Sequence, residues 1–430
     1  MRPLRIGVDA RLISGRSGGV EQAIIGLADG FSRLADGDEE YLFLTYAGHD
    51  DWIRPYLTGP CRLLQVPYPT TAGWKRRLKS AVPVARTVWE WLSPIIGKRT
   101  VTIPRSDGTV ERTGVDIMHF TTQQAFLTNV LNIYEPHDLQ HIHLPEFFTR
   151  RERLLREVLY RTFCGQAAMV VAMTEWGRQD LIKQYGLPVD KVRVVPWAST
   201  LTAYMPPQAG DLAAIQRKYA LPDRFIFYPA QTFPHKNHIR LLDALAILRD
   251  RRGLVVPLVC SGYRNRFYRT IENHLLDLRL GNQVTFLGFV SPVELYSLYK
   301  LCQGLVFPSK FEGWGLPISE AFMAGVPVIC SNRTALPEQA GDAAHYFDPD
   351  DPEAIAEAIY RLWTDEAFRQ DLAVRGQKRI EAFTWDRTAR LFRAHYRRLA
   401  RRPLTTEDRA LLKNADGHHS PEQVYTHDDQ

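Results

Sequence analysis

The stretch Pro308-Ser309-Lys310-Phe311-Glu312-Gly313-Trp314-Gly315-Leu316-Pro317-Ile318-Ser319-Glu320 decides how this chain is read. It sets one carboxylate in a glycine-rich loop. A second lies about a turn inside the helix that the loop opens, because no helix breaker follows Leu316 until Gly325. Pro317 suits the first turn of that helix, where a missing N–H costs nothing. Two acidic groups and several free backbone N–H groups then face one small space. Carboxylates accept from sugar hydroxyls, while a helix N-terminus favours negative charge, so the pattern suits a ligand bearing both hydroxyls and phosphates, such as a sugar nucleotide. Taken alone, an E-x7-E spacing is more often a solvated loop and helix face, and the surrounding sequence has to decide.

Upstream of the stretch, short strands alternate with helices. Strands are expected at Phe225–Pro229, Leu254–Ser261, Val284–Phe289 and Gly304–Phe307, with helices at His238–Arg249, Arg266–Leu278 and Pro292–Lys300 between them. Downstream, a strand at Pro327–Cys330 precedes helices at Pro352–Trp363 and Glu366–Phe383. Such βαβ alternation builds a parallel sheet. The first half repeats it, from Leu4–Asp9 through Tyr41–Tyr46, Leu63–Val66, Val115–Phe120, Val130–Tyr134 and Ala168–Ala172 to Val192–Val195. Its first strand leads into Ser14-Gly15-Arg16-Ser17-Gly18-Gly19-Val20, a glycine loop before a helix; it lacks G-x-G-x-x-G and the P-loop Lys-Ser/Thr, but permits close backbone approach to an anion. With 430 residues, two cores are expected, and two parallel-sheet domains leave a cleft between them, a favoured ligand site.

The domain reading is 1–205 for the first unit, 206–385 for the second, a crossover helix at 386–402 and a polar, mobile tail at 403–430. Within the first unit, about 70–113 breaks the pattern. Trp74-Lys75-Arg76-Arg77 and Lys98-Arg99 flank an apolar, tryptophan-rich segment, so residues 74–99 suit an anionic membrane surface or, equally, an amphipathic segment packed on its own domain. A hairpin is expected beside it, pairing Val101–Ile103 with Thr109–Glu111. Composition is ordinary, at 45% hydrophobic and 24% charged, with net charge +6. No nucleic-acid module accompanies the positive charge. The five scattered cysteines lack a C-x-x-C pair, and no apolar run has the length of a membrane span. The expectation is a cytoplasmic protein, free or peripheral on the inner face of a membrane. His137, His141 and His143 share one loop without a metal-site motif, so solvated or packed histidines outweigh zinc.

These segments together resemble the retaining GT-B glycosyltransferases of family 4. The resemblance rests on Phe311 to Ala321 followed by Ala324-Gly325-Val326-Pro327-Val328. It is supported by Asp9-Ala10-Arg11 with Gly18-Gly19-Val20, by Pro136-His137-Asp138-Leu139, and by Tyr228-Pro229-Ala230-Gln231 to Pro234-His235-Lys236-Asn237. It runs from about residue 4 to about 400 and implies two Rossmann-like domains, with the C-terminal helix crossing back to the first. It also implies roles: Glu312 on the transferred sugar, Glu320 on the nucleotide ribose, and His137 near the donor sugar. Lys236 and the N–H groups of Gly313, Trp314, Gly315 and Leu316 would hold the diphosphate, which Gly18 and Gly19 approach from the other side.

Many relatives carry arginine where this chain has Gln231, so Gln231 supplies a neutral hydrogen bond or a cation such as Arg193 or Arg264 moves in. The lysine-loop pattern is similar to that of bacterial mannosyltransferases and favours GDP-mannose as donor, with a glycan or lipid-linked acceptor of surface polysaccharide assembly. The expected reaction is hexose transfer with retention, without a metal or other cofactor. Asp348-Pro349-Asp350-Asp351, the nearest approach to a D-x-D motif, reads as a helix cap. A UDP-sugar donor, or an inactive nucleotide-sugar-binding scaffold, are the alternatives.

Overall fold

A computed structural model describes residues 2–14, 18–67 and 101–417. The basic tryptophan segment 74–99 therefore lies outside the described residues.

Among these, the first half forms strands β1 (Leu4–Asp9), β2 (Glu39–Tyr46), β3 (Cys61–Val66), β4 (Ile117–Phe120), β5 (Leu131–Tyr134), β6 (Met169–Ala172) and β7 (Val192–Val194). They build one parallel sheet in the order β3-β2-β1-β4-β5-β6-β7. The second half adds β8 (Ile226–Pro229), β9 (Leu258–Ser261), β10 (Val284–Phe286), β11 (Gly304–Phe307), β12 (Val328–Ser331) and β13 (Ala344–Phe347). Their order is β10-β9-β8-β11-β12-β13, again all parallel. Strand order reverses beside β1 in the first sheet and beside β8 in the second. Each reversal opens a crevice at the carboxyl edge, where open α/β sheets bind ligands. The buried strand runs, such as Gly304-Leu305-Val306-Phe307 and Val328-Ile329-Cys330-Ser331, are covered by helices on both faces, which is why they read as unbroken apolar stretches.

The helix Trp385–Leu399 does not belong to the core of the second sheet. Its Trp385, Leu391, Phe392 and Tyr396 are buried in the cluster formed by Leu4, Ile24, Phe31 and Tyr41 of the first. Two glycines one turn apart make room for it. A Cβ on Gly26 would lie 2.0 Å from the Trp385 ring, and one on Gly30 would lie 2.6 Å from the Trp385 carbonyl oxygen. The indole N–H donates to the Ser199 carbonyl at 3.0 Å. Tyr396 reaches a buried chain, its hydroxyl 2.7 Å from His119 Nδ1, whose Nε2 lies 2.6 Å from Glu135, one residue before Pro136-His137.

Several expectations need correction. The tail from residue 403 carries a further helix, Thr406–Gly417, rather than running free. Asp408 explains it: the carboxylate is buried against Arg397 Nη1 at 2.8 Å, and Arg397 also forks onto Glu39 at 2.6 and 3.0 Å. Polar composition alone does not show that a charge will find a buried partner. The hairpin expected at 101–111 is absent. Gly108 adopts φ 82° and starts a short helix at Thr109–Arg112, whose first N–H is taken by Asp107, and Arg105 instead bridges Leu127. Residues 209–218 form a helix where the sequence pattern was silent, and the long helix of the first half begins at Arg150, behind a capping box made by Thr149 and Glu152. None of the helices among the described residues is long and apolar enough to cross a membrane.

Arg397 keeps Glu39 when Asp408 is removed, so the loss should fall below that for a wholly orphaned buried charge. Asp408→Asn is expected to cost about 2 kcal/mol in urea unfolding. It should also expose the Thr406–Gly417 helix to protease at concentrations that spare the wild type. Burial pushes the Asp408 carboxyl up, but the hydrogen bonds from Arg397 and Thr405 and the Arg397 charge outweigh it and hold this carboxylate below its ordinary range. The stability it supplies is present above the unfolded carboxylate value of about 4 and is lost as pH falls through the lower folded value, so acid should release the same helix first.

Candidate functional site

A cavity of about 1030 Å³ lies between the carboxyl edges of the two sheets. It is lined from the first domain by Gly18, Gly19 and His137, and from the second by Gln231, Lys236, Glu312, Gly313, Trp314, Leu316 and Glu320. The structure thus brings together the residues singled out in sequence, with Gly315 set just behind the wall.

Glu312 sits in the loop after β11 and is buried. Its Oε1 accepts from Lys236 Nζ at 2.5 Å. Burial pushes this carboxyl up, against the pull of Lys236, which by charge and hydrogen bond favours ionisation. The main chain of Glu312 is clamped by the Thr334 hydroxyl, which takes its N–H and donates to its carbonyl, both at 3.0 Å. Lys236 ends a 3₁₀ turn, and Asn237 follows at φ 62°, its amide donating to the Pro308 and Pro349 carbonyls at 3.1 and 2.7 Å. The lysine loop and the carboxylate loop are thereby fixed to each other before any ligand arrives.

Glu320 lies in the helix Leu316–Ala324, buried, with Tyr299 donating to Oε2 at 2.8 Å and Thr200 to Oε1 at 3.3 Å. Burial raises its pKa above the ordinary carboxylate value. Between the two carboxylates, one expected donor is already taken: Gly315 N–H donates to Gln339 Oε1 at 2.8 Å. Gln339 also donates to the Gly315 carbonyl at 2.9 Å and to Ser319 at 2.7 Å. Gly315 is therefore committed to the protein at both its N–H and its carbonyl, and shapes the loop. Gln339 carries no signal in the sequence, since it lies nineteen positions past Glu320 in a short helix, Leu336–Ala340, that the pattern does not announce.

His137 occupies φ 67° at the centre of a tight turn closed by Asp138 N–H to the Pro136 carbonyl at 2.9 Å. A non-glycine residue here is strained, as functional residues often are. Its Nε2 lies 2.9 Å from the Thr121 carbonyl, which fixes Nε2 as the protonated nitrogen and leaves Nδ1 for other partners. His141 and His143 do not converge with it. Their Nε2 atoms face Glu157 at 3.2 Å and Asp180 at 2.8 Å, so the loop offers three separate pairs instead of a ligand set. Among the described residues no group of three or more His, Cys, Asp or Glu is placed to hold a metal. Asp351 caps the helix Pro352–Thr364, as its turn reads in sequence.

The domains meet backbone to backbone. A Cβ on Gly313 would lie 2.2 Å from the His137 carbonyl oxygen, and one on Gly18, at φ 53°, would lie 2.5 Å from Gln231 Nε2. Gln231 therefore packs on the glycine loop. Neither arginine considered as its substitute lines the cavity: Arg264 donates to the Phe286 carbonyl and stacks on Tyr268, and Arg193 lies on β7. The second domain also caps the first, since the Glu338 carboxylate accepts from the Glu175 and Trp176 N–H groups at 2.6 and 2.9 Å.

Two parallel-sheet domains facing across a cleft, with the last helices returning to the first, are the architecture of the GT-B glycosyltransferases. Residues 17–198 match the family model Glycosyltransferase Family 4, and residues 213–379 match Glycosyl transferases group 1. The chain belongs to this family of glycosyltransferases. It is 30% identical over 256 residues to O-antigen chain mannosyltransferase B of Escherichia coli, covering 58% of this chain and 66% of that protein. It is 31% identical over 255 residues to the serotype-specific mannosyltransferase WbdA of the same species, covering 56% of this chain and 31% of that one. The matches thus span less than two thirds of these relatives' lengths. Among solved structures, HepE of Anabaena in complex with UDP and glucose superposes with a TM-score of 0.66 at 17% identity, over 92% of this chain and 99% of that one.

Gly313→Ala must separate the His137 and Gly313 main chains by about 1 Å, a displacement that can cost about a hundredfold in a reaction at the cleft. The variant should melt like the wild type, show a larger radius of gyration in small-angle scattering, and lose activity. An unchanged radius with full activity would mean that the contact is not kept in solution.

Proposed function

We propose that the protein transfers mannose from GDP-mannose, with retention at the anomeric carbon, to a hydroxyl of a glycan or lipid-linked acceptor in surface polysaccharide assembly. The observation that carries this reading is the ion pair of Lys236 and Glu312, set in the cleft beside a helix N-terminus. An ammonium has three N–H donors, and Glu312 uses one, so the others are available to a diphosphate. The carboxylate keeps acceptor sites for sugar hydroxyls in the same way. Glu320, one turn into the helix, meets the ribose. The mannosyl donor is supported by the names of the two Escherichia coli relatives.

In the reaction, the bond between the anomeric carbon and the diphosphate oxygen breaks through an oxocarbenium-like transition state, as in glycoside hydrolysis. The acceptor oxygen bonds to the same face of that carbon, and its proton passes to the departing phosphate oxygen. Charge grows on that phosphate, where Lys236 and the N–H groups of Gly313, Trp314 and Leu316 stabilise it without reorganisation. No metal or other cofactor enters this scheme. His137 Nδ1, left free by the bond from Nε2 to Thr121, faces a sugar hydroxyl.

Transfer of tritiated sugar from GDP-mannose, with UDP-sugars alongside and EDTA present, tests the reading. Lys236→Ala and Glu312→Ala are each expected to lower kcat by about 10²–10³, the range for removing one preorganised charge stabiliser, with the fold retained. Wild-type turnover in either would remove the site assignment, and loss of all transfer in EDTA would remove the metal-free scheme. Product anomericity by NMR decides retention.

The pH dependence has a definite sign. Ionised Glu320 accepts from the ribose hydroxyls, and its pKa is raised by burial, so donor KM should rise as pH falls through a midpoint above the ordinary value of 4.5. Glu320→Gln should raise KM at neutral pH and flatten the profile.

A further inference from the structure

The donor site leaves part of the cleft unused. The cavity continues past Phe148 to the first turns of the helix Arg150–Gln166 on one wall, and to the loop after β9 on the other. Each wall carries one arginine, Arg156 and Arg266.

Among the described residues no carboxylate forms an ion pair with Arg156. Its guanidinium carbon lies 4.7 Å from the Phe148 ring centre and 6.0 Å from that of Tyr160, and its Nη1 is buried without a hydrogen-bond partner among the described residues. Stacking fixes the plane of such a guanidinium and leaves its N–H edge uncommitted. A buried donor without an acceptor is costly, and it calls for an explanation such as a ligand. Arg266 is exposed and has no ion pair among the described residues. Its loop is nevertheless ordered, because Asn265 N–H donates to the Thr232 hydroxyl at 2.9 Å, and Asn265 Nδ2 is a second buried donor without a partner.

One carboxylate on this wall, Glu152, feels both arginines. It accepts from the Thr149 N–H and hydroxyl, both at 2.8 Å, and its pKa is lowered first by those bonds and further by the charges of Arg266 and Arg156. Glu146 lines this part of the cavity too, so an anion is favoured here by the uncommitted N–H edge of Arg156 and not by a net charge. On the Lys236 side, His235 is held well below the ordinary imidazole range by burial, with the charges of Lys236 and Arg156 adding to it, so Arg156 is felt at the lysine loop as well.

We propose that Arg156 and Arg266 form an anion subsite across the cleft from each other, next to Lys236, which binds a phosphate or carboxylate group of a substrate. The proposal rests on the nucleotide-sugar reading of the cavity. Two sources share this chemistry. The donor's own diphosphate would gain the positive charge that Gln231 does not provide; an acceptor would need an anionic group near the hydroxyl that is glycosylated.

The test is calorimetric titration of wild type, Arg156→Gln, Arg156→Lys and Arg266→Gln. The probes are GDP, UDP, GMP and inorganic pyrophosphate, with thermal melts to verify folding. If the donor is the source, both Gln variants weaken the tighter-binding diphosphate by about tenfold or more, leave GMP nearly unchanged, and Arg156→Lys restores most of the loss. If the acceptor is the source, nucleotide affinity is unchanged, while pyrophosphate binds the nucleotide-saturated wild type and neither Gln variant. Folded variants with wild-type nucleotide affinity, and no pyrophosphate binding to the saturated wild type, overturn the subsite and leave the donor site standing. A wild type that binds neither GDP nor UDP overturns the donor reading and the subsite with it.

Discussion

The helix Trp385–Leu399 can enter the first core only because Gly26 and Gly30 present no side chain to it. Much else follows from that close approach. The helix Gly19–Ser32 that carries the two glycines also begins at the cleft, so the seat of Trp385 fixes where Gly18 and Gly19 stand. Burying an indole of this size is worth several kcal/mol, and replacing one by alanine typically costs about 3–5 kcal/mol. Burial of Arg393 and Arg397 on the same helix works differently. Their desolvation offsets most of the gain from Asp36, Glu39 and Asp408, so these pairs do more to fix the register of the helix than to add stability.

The carboxylate loop shows the same logic at smaller scale. Thr334, Gln339 and Asn237 satisfy the polar groups that a tight glycine loop would otherwise bury unpaired. Some of what remains unsatisfied lies where a ligand can reach. Buried indole N–H groups of Trp197 and Trp314 lack acceptors among the described residues, and both residues line the cavity. A site arranged in this way has met its ordering cost during folding, and binding need not meet it again.

Much of this was legible in the sequence. The strand alternation, the E-x7-E spacing and the proline-started helix are local patterns and pointed to two parallel sheets, while the gathering of His137, Lys236, Glu312 and Glu320 was implied by the resemblance to family 4 glycosyltransferases. What escaped was non-local. Gln339 takes the Gly315 N–H from a helix of five residues. The Thr406–Gly417 helix depends on a buried pair whose members look like surface charges in sequence. β13 at Ala344–Phe347 is an edge strand of four residues, too short to stand out from the turns Gly341-Asp342 and Asp348-Pro349 that flank it. The cations considered beside Gln231, Arg193 and Arg264, do not line the cavity, whereas Arg156 of the first domain does and is held against rings.

The contact of Gly313 with His137 involves only main-chain atoms on the His137 side. A side chain at His137 reaches that spacing only through the main chain that carries it. For anyone altering the sugar that this enzyme class accepts, the depth of the cleft at this point is set by a glycine. Room for a larger or differently substituted ring is then cut from the walls, through residues such as Met173 or Trp197.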